Sequence, residues 1–256
     1  MDLYLKDKVV IVTGGAKGIG EAIVVALASE GAIPVIVGRN LQDNLMALEK
    51  AGRGSQVVAE LSDPDQCRDA IDSIVSNYGK IDGLINNAGV NDGIGLEHGN
   101  YEKFISSLHK NVVHYYLLAH YALPFLKASK GSIVNIGSKV AETGQGGTSA
   151  YAAANGARNA LTREWAVELL PYQIRVNAVI VAESYTPLYE KWIKSLAAPE
   201  NELRKITERI PLENRMTKPD EIANMVVFLL SERSSHTTGQ LIHVDGGYTH
   251  LDRRIS

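Results

Sequence analysis

Residues 9–20 read VVIVTGGAKGIG, and this stretch decides the fold. Val9, Val10, Ile11 and Val12 form the unbroken β-branched run expected of a strand buried on both faces of a parallel sheet. Thr13 to Gly20 then turn the chain into a helix beginning near Gly18. Glycine admits positive φ and lets backbone approach an anion closely. The free first amides of a helix, at the positive end of its dipole, face the same anion. Strand, glycine-rich turn and helix in this order therefore predict a pyrophosphate cradle. The spacing is G-x3-G-x-G, not G-x-G-x-x-G, so a glycine-rich turn without a ligand carries the same local signature. The rest of the chain decides between the two.

A chain of 256 residues, 45% hydrophobic and 21% charged, suits one α/β domain spanning 1–256. The net charge of -3, with scattered Lys and Arg, offers no basic stripe for nucleic acid. The single cysteine, Cys67, excludes an internal disulfide and a thiolate metal cluster. The opening MDLYLKDK is not a basic leader followed by an apolar core, and the longest apolar run, 22–28, is too short to span a bilayer. A cytoplasmic protein without membrane contact is the expectation.

Strands are expected at 33–37, 56–61, 81–85, 132–136, 174–181 and 241–244. Helices are expected at 18–30, 41–50, 65–77, 101–127, 149–170, 190–210 and 219–230. This alternation predicts an α/β fold, a Rossmann-like doubly wound parallel sheet with helices on both faces. Ligands in such folds sit at the carboxyl edge of the sheet, so the residues just after each strand carry the function.

Those residues are specific. TGGAKGIG at 13–20, NNAG at 86–89, Asn111, Ser138, Tyr151-Ala-Ala-Ala-Asn155, Thr238-Gly239 and VDGG at 244–247 follow in order. Together they resemble the short-chain dehydrogenase/reductase family over the whole chain. The resemblance implies a nicotinamide dinucleotide cofactor, hydride transfer to or from a small molecule, and a homotetramer. It gives Tyr151 the role of general acid/base, Ser138 that of polarising the substrate oxygen, and Asn111 that of holding a water in the proton relay. It places Gly14, Lys17, Gly18, Ile19, Gly20, Arg39, Leu61, Asn87, Ala88, Gly89, Tyr151, Asn155 and Thr186 on the cofactor. The residues read alone agree, since a strand end and a first helical turn let Ser138 and Tyr151 converge, although a tyrosine bonded for structure only would look the same.

Two positions depart from the family. Position 155 holds lysine there, whose cation favours the phenolate and whose amine binds ribose; asparagine can bond hydroxyls but carries no charge. Lys139 directly follows Ser138, and adjacent residues of an extended segment point to opposite sides, so it is not expected to stand in. Val181-Ala182 replaces the family's Pro-Gly after the sixth strand, while Thr186 is kept. The expectation is a chain that folds and binds cofactor but oxidises feebly, with Asn155→Lys restoring activity.

Gly38, where an acidic ribose anchor would stand, is followed by Arg39; with Lys17 this predicts preference for NADP(H), with NAD(H) as the alternative. Residues 90–95, 142–147 and 183–186 are rich in amides and carboxylates and resemble those of L-fucose dehydrogenase-like members, which oxidise C1 of an aldose to a lactone. Asn91, Ser138, Gln145, Tyr151 and Glu183 are accordingly the candidate substrate residues. A catalytically silent dinucleotide-binding protein and a 3-oxoacyl reductase-like enzyme are the alternatives. His109, His114 and His120 lack ligand-type partners at metal spacing, so no metal is expected, and they read as surface or interface histidines. Tyr115, Tyr116, Tyr121 and Trp165 suit either core or subunit interface.

Overall fold

The alternation becomes a seven-stranded, all-parallel sheet in the order β3-β2-β1-β4-β5-β6-β7. A computed structural model describes residues 1–252. The strands are β1 (Val9–Thr13), β2 (Ile33–Gly38), β3 (Ser55–Val58), β4 (Gly83–Asn86), β5 (Ser132–Ser138), β6 (Arg175–Val181) and β7 (Leu241–Val244). Helices α1 (Gly18–Ser29), α2 (Leu41–Ala51), α3 (Pro64–Tyr78), α4 (Tyr101–Leu108), α5 (His114–Ser129), α6 (Val140–Thr143), α7 (Ser149–Glu168), α8 (Pro187–Ile193), α9 (Pro199–Thr207) and α10 (Pro219–Leu230) cover it. The order reverses at β1, which lies between β2 and β4, and a crevice opens there at the carboxyl edge.

Two apolar clusters fill the two faces. One packs β-strand residues such as Ile11, Leu84 and Ile133 against α3, α5 and α7, and takes in Tyr115 and Trp165. The other packs Val12, Ile85 and Val134 against α1 and α10. Tyr115 and Trp165 are thus core residues, Tyr121 packs beside them, and Tyr116 is left exposed. His114 is buried within the chain at the start of α5, which corrects its reading as a surface or interface histidine.

Three elements differ from expectation. The helix expected over 101–127 is broken by a π-helical turn, His109–Val113, which carries Asn111. Asparagine is a poor helix former, and here its side chain bonds outside the helix, which offsets the irregular turn. The helix expected over 190–210 is two, each opened by a proline at its first position, Pro187 and Pro199. The strand expected over 56–61 ends at Val58 because Ala59 to Leu61 leave the ladder to border the crevice.

Candidate active site

The glycine loop is locked to the end of β4 by reciprocal hydrogen bonds. Thr13 Oγ1 accepts from the amides of Asn87 (2.8 Å) and Ala88 (2.9 Å), while Asn87 Nδ2 donates to the carbonyls of Thr13 (2.9 Å) and Gly14 (3.2 Å). That closeness requires glycine. A methyl at Gly20 would lie 2.2 Å from the Gly14 carbonyl oxygen, and Gly14 itself sits at φ 62° against Ala88. No side chain caps the N-terminus of α1, so its first amides face the crevice.

The crevice is a cleft of about 660 Å3, within the range of small-molecule sites. Gly14, Lys17, Gly18, Ile19, Gly20, Arg39, Leu61, Asn87, Ala88, Gly89 and Thr186 line one part; Ser138 and Tyr151 line another. A larger depression of about 940 Å3 lies at the opposite, amino edge and holds none of these residues. The cradle, the uncapped helix and the volume fit a dinucleotide. A methyl at Gly38 would lie 2.8 Å from Asn44 Oδ1, so an acidic anchor there would have to displace the Asn44 side chain. Lys17 pairs with Asp43 at 2.7 Å, and the exposed Arg39 lies 3.8 Å from Glu60.

A buried polar ladder sets α7 against the sheet. Asn86 Nδ2 donates to Asn135 Oδ1 (3.0 Å), Asn135 Nδ2 to Thr162 Oγ1 (3.0 Å), and Thr162 Oγ1 to the Arg158 carbonyl (2.8 Å). Bonds of this kind hold α7, and with it Tyr151, at the end of β5. Asn111 stands behind the cleft wall. Its side chain clamps the segment after β4, accepting from Val90 N (2.8 Å) and donating to Val90 O (3.0 Å) and Ser107 O (2.9 Å).

Several predicted residues lie elsewhere. Asn155 is fully buried and does not line the cleft: its Nδ2 donates to the Tyr151 carbonyl (2.9 Å) and its Oδ1 accepts from Arg158 (3.1 Å). Asn91 is exposed and closes a turn onto Gly93 N (3.3 Å); Gln145 is exposed in a loop. Glu183 is taken by a partly buried ion pair with Lys139, whose ammonium also lies 3.6 Å from the centre of the Tyr248 ring. None of Asn91, Gln145 and Glu183 lines the cleft. Their loops are polar because they are solvated or paired, which composition alone does not separate from ligand contact. Burial pushes the Tyr189 hydroxyl well above the usual tyrosine range, and the Glu183 carboxylate beside it acts the same way.

Arg158 was missed. Its guanidinium is buried, lines the cleft, and donates through Nε to the Asn111 carbonyl (2.7 Å) and through Nη1 to the Ile136 carbonyl (3.1 Å) and Asn155 Oδ1 (3.1 Å). The signal available in the sequence is helical spacing, since positions 151, 155 and 158 share one face. Among the described residues, the histidines at 109, 114 and 120 are in no group of metal-ligating side chains. A different set is grouped: Glu142, His243 and His250 bring their ligand-type atoms within 4.8 Å of one another, tying β7 and the segment after it to α6.

The family model described as enoyl-(acyl carrier protein) reductase matches residues 14–249. The chain belongs to the short-chain dehydrogenase/reductase family. Within that family it is 36% identical to a 3-oxoacyl-[acyl-carrier-protein] reductase of Thermotoga maritima over 96% of this chain and 99% of that one. It is 34% identical to the L-fucose dehydrogenase of Bos taurus, over 94% and 88% of the two chains. Among solved structures, Cj0485 dehydrogenase superposes with TM-score 0.95 at 44% identity, covering 100% of this chain and 99% of that one. The aldohexose dehydrogenase of Thermoplasma acidophilum does so with TM-score 0.89 at 30% identity, covering 100% and 99%. The chain is therefore an oxidoreductase of a family that binds NAD(P)(H), and no helix among the described residues is long and apolar enough to cross a membrane.

Proposed function

We propose that this oxidoreductase oxidises a free aldose of the L-fucose type at C1 to its lactone, with NADP(H) as the preferred cofactor. The observation that carries the redox reading is that Ser138 and Tyr151 open into the same cleft as the glycine cradle. The sugar reading rests on similarity to L-fucose and aldohexose dehydrogenases over nearly the whole chain. Preference for the 2'-phosphate rests on glycine at 38 and the cations of Arg39 and Lys17 on the cleft wall. A guanidinium binds phosphate through two parallel bonds, and Arg39 is held only by a long, exposed contact that a phosphate would displace.

When bound, the nicotinamide accepts or donates the hydride. Gly14, Gly18 and the α1 amides would hold the pyrophosphate, Leu61 and Ala88 the adenosine end, and Thr186 the nicotinamide end. Ser138 donates to the substrate oxygen and fixes it next to Tyr151. Tyr151 takes the hydroxyl proton during oxidation and returns it during reduction. Asn111 holds the wall behind them through Val90 and Ser107.

A second reading, reduction of a 3-oxoacyl thioester, is favoured by the 36% identity to the Thermotoga reductase. NADPH fluorescence over a panel of L-fucose, D-arabinose, L-galactose and acetoacetyl thioester separates the two. Oxidation of the sugars with NADP+, faster than with NAD+, is expected; turnover of the thioester alone overturns the sugar assignment.

A further inference from the structure

Resting on the assignment of Tyr151 as acid/base, we propose that Arg158 supplies, from one turn further along α7, the positive charge that the family's lysine supplies from position 155. Residues 151, 155 and 158 lie on one helical face, and helix side chains lean toward the N-terminus. The guanidinium accordingly returns to the level of Asn155, whose Oδ1 accepts from Nη1 at 3.1 Å. Asn155 in turn donates to the Tyr151 carbonyl. Arg158 lines the same cleft as Tyr151, and Nη2 lies so close to Gly89 that a methyl there would be 2.7 Å from it.

The contact with the π-helical turn is the most telling. By resemblance, Asn111 holds a water in the proton relay. Here its carbonyl takes Nε of Arg158 directly at 2.7 Å, and its Oδ1 lies 3.4 Å from Nη2. A longer side chain from one turn below thus reaches ground that elsewhere belongs to a lysine and a water.

Among the described residues no carboxylate pairs with Arg158. Its bonded partners are neutral oxygens of Asn111, Ile136 and Asn155, and its flat face covers the Tyr115 ring at 4.3 Å. Burying a cation without a carboxylate is costly, and a purely structural role does not call for a charge. An anion forming nearby offsets that cost, and the Tyr151 phenolate is such an anion. Other groups around the cleft do not supply the charge. Burial, with Arg158 second, drops His114 on α5 to about 3, so it is neutral. Lys110 lies 3.8 Å from Asp92, Lys139 is paired with Glu183, and Tyr189 on α8 stays protonated. Lys17 and Arg39 stand by the glycine cradle with Asp43 and Glu60. Burial also holds Tyr115, the phenol beneath the guanidinium, protonated to about 12.

The test is a pair of measurements on Arg158→Met and Arg158→Lys: ultraviolet titration of phenolate, with the component assigned by its loss in Tyr151→Phe, and the pH dependence of kcat/KM for oxidation. In Arg158→Met that component moves upward by about 1 to 3 pH units, and oxidation at pH 7 falls by about ten- to a thousandfold and recovers as pH rises. Arg158→Lys, which keeps the charge with a shorter reach, moves less. Bound NADPH fluorescence reports that the cleft is intact. An unmoved titration and pH profile in folded Arg158→Met overturns the proposal. If that variant does not fold, the same two unmoved readings in Arg158→Gln, which is neutral but keeps hydrogen-bonding capacity, overturn it. A titration that moves in a protein that turns over no sugar leaves Arg158 in place and removes the sugar assignment; an unmoved titration with brisk sugar oxidation does the reverse.

Discussion

The two walls of the cleft are built by different means. The cofactor wall is backbone held against backbone: the Thr13 and Asn87 bonds, the methyl-free contact of Gly20 with Gly14, and the uncapped start of α1. The substrate side is bordered by polar side chains paired among themselves, as with the partly buried Glu183 and Lys139 or with Glu142 of α6 and His243 of β7. A site made of backbone needs particular residues at fixed spacing, whereas a site made of side chains can be rearranged by one helical turn. The chain shows both behaviours within one cleft.

The sharpest contrast compares Gly20→Ala with Gln145→Ala. The first places a methyl 2.2 Å from a carbonyl that the Asn87 amide also holds, so the backbone must move. Overpacking of this kind costs about 1 to 3 kcal/mol, and the displaced amides should also abolish measurable NADPH binding. The second removes an exposed loop amide and should change stability by less than about 0.5 kcal/mol. Thermal unfolding and fluorescence titration read both; equal effects would erase the distinction between the walls.

An effect visible only in acid is expected at His114, which borders the cleft. The unfolded chain binds this proton at the ordinary histidine value of 6.5, the folded chain only at about 3, because burial penalises the charged ring. Its contribution is therefore fully present above about pH 6.5 and is lost as pH falls toward 3, by at most about 1.4 kcal/mol per pH unit. His114→Gln, which can still donate to the Lys110 carbonyl, should flatten the fall of Tm between pH 6.5 and 4.5. An unchanged slope would mean that His114 is not protected from acid by its surroundings.

How much was legible follows from the same contrast. The parallel sheet and the grouping of Gly14 to Gly20, Asn87 to Gly89 and Thr186 along one cleft were readable because β-branched runs and glycine spacing express backbone geometry directly. The break at Asn111 was not, since a π-helical turn depends on what the side chain reaches in another segment, here Val90. The polar loops at 90–95 and 142–147 were read as facing ligand, but their composition does not say whether water, a partner or a substrate satisfies them. Position 155 was read as a lost charge because the family motif ends there; the compensating residue lies three positions beyond it. The ladder through Asn86, Asn135 and Thr162 escaped notice because its members are far apart in sequence and each is an unremarked polar residue in an apolar run.

The central claim is that charge at 158 replaces charge at 155, and a four-member cycle tests it: parent, Asn155→Lys, Arg158→Leu and the double variant, each measured as kcat/KM for oxidation at pH 7. From the sequence alone Asn155→Lys should restore activity. In the structure, its ammonium would enter a buried site beside a guanidinium that now bonds Asn155 at 3.1 Å, with two like charges and no carboxylate between them. The account predicts that each single substitution lowers kcat/KM by about tenfold or more and that the double variant recovers to within about tenfold of the parent. An Asn155→Lys enzyme faster than the parent, with Arg158 still in place, would contradict it.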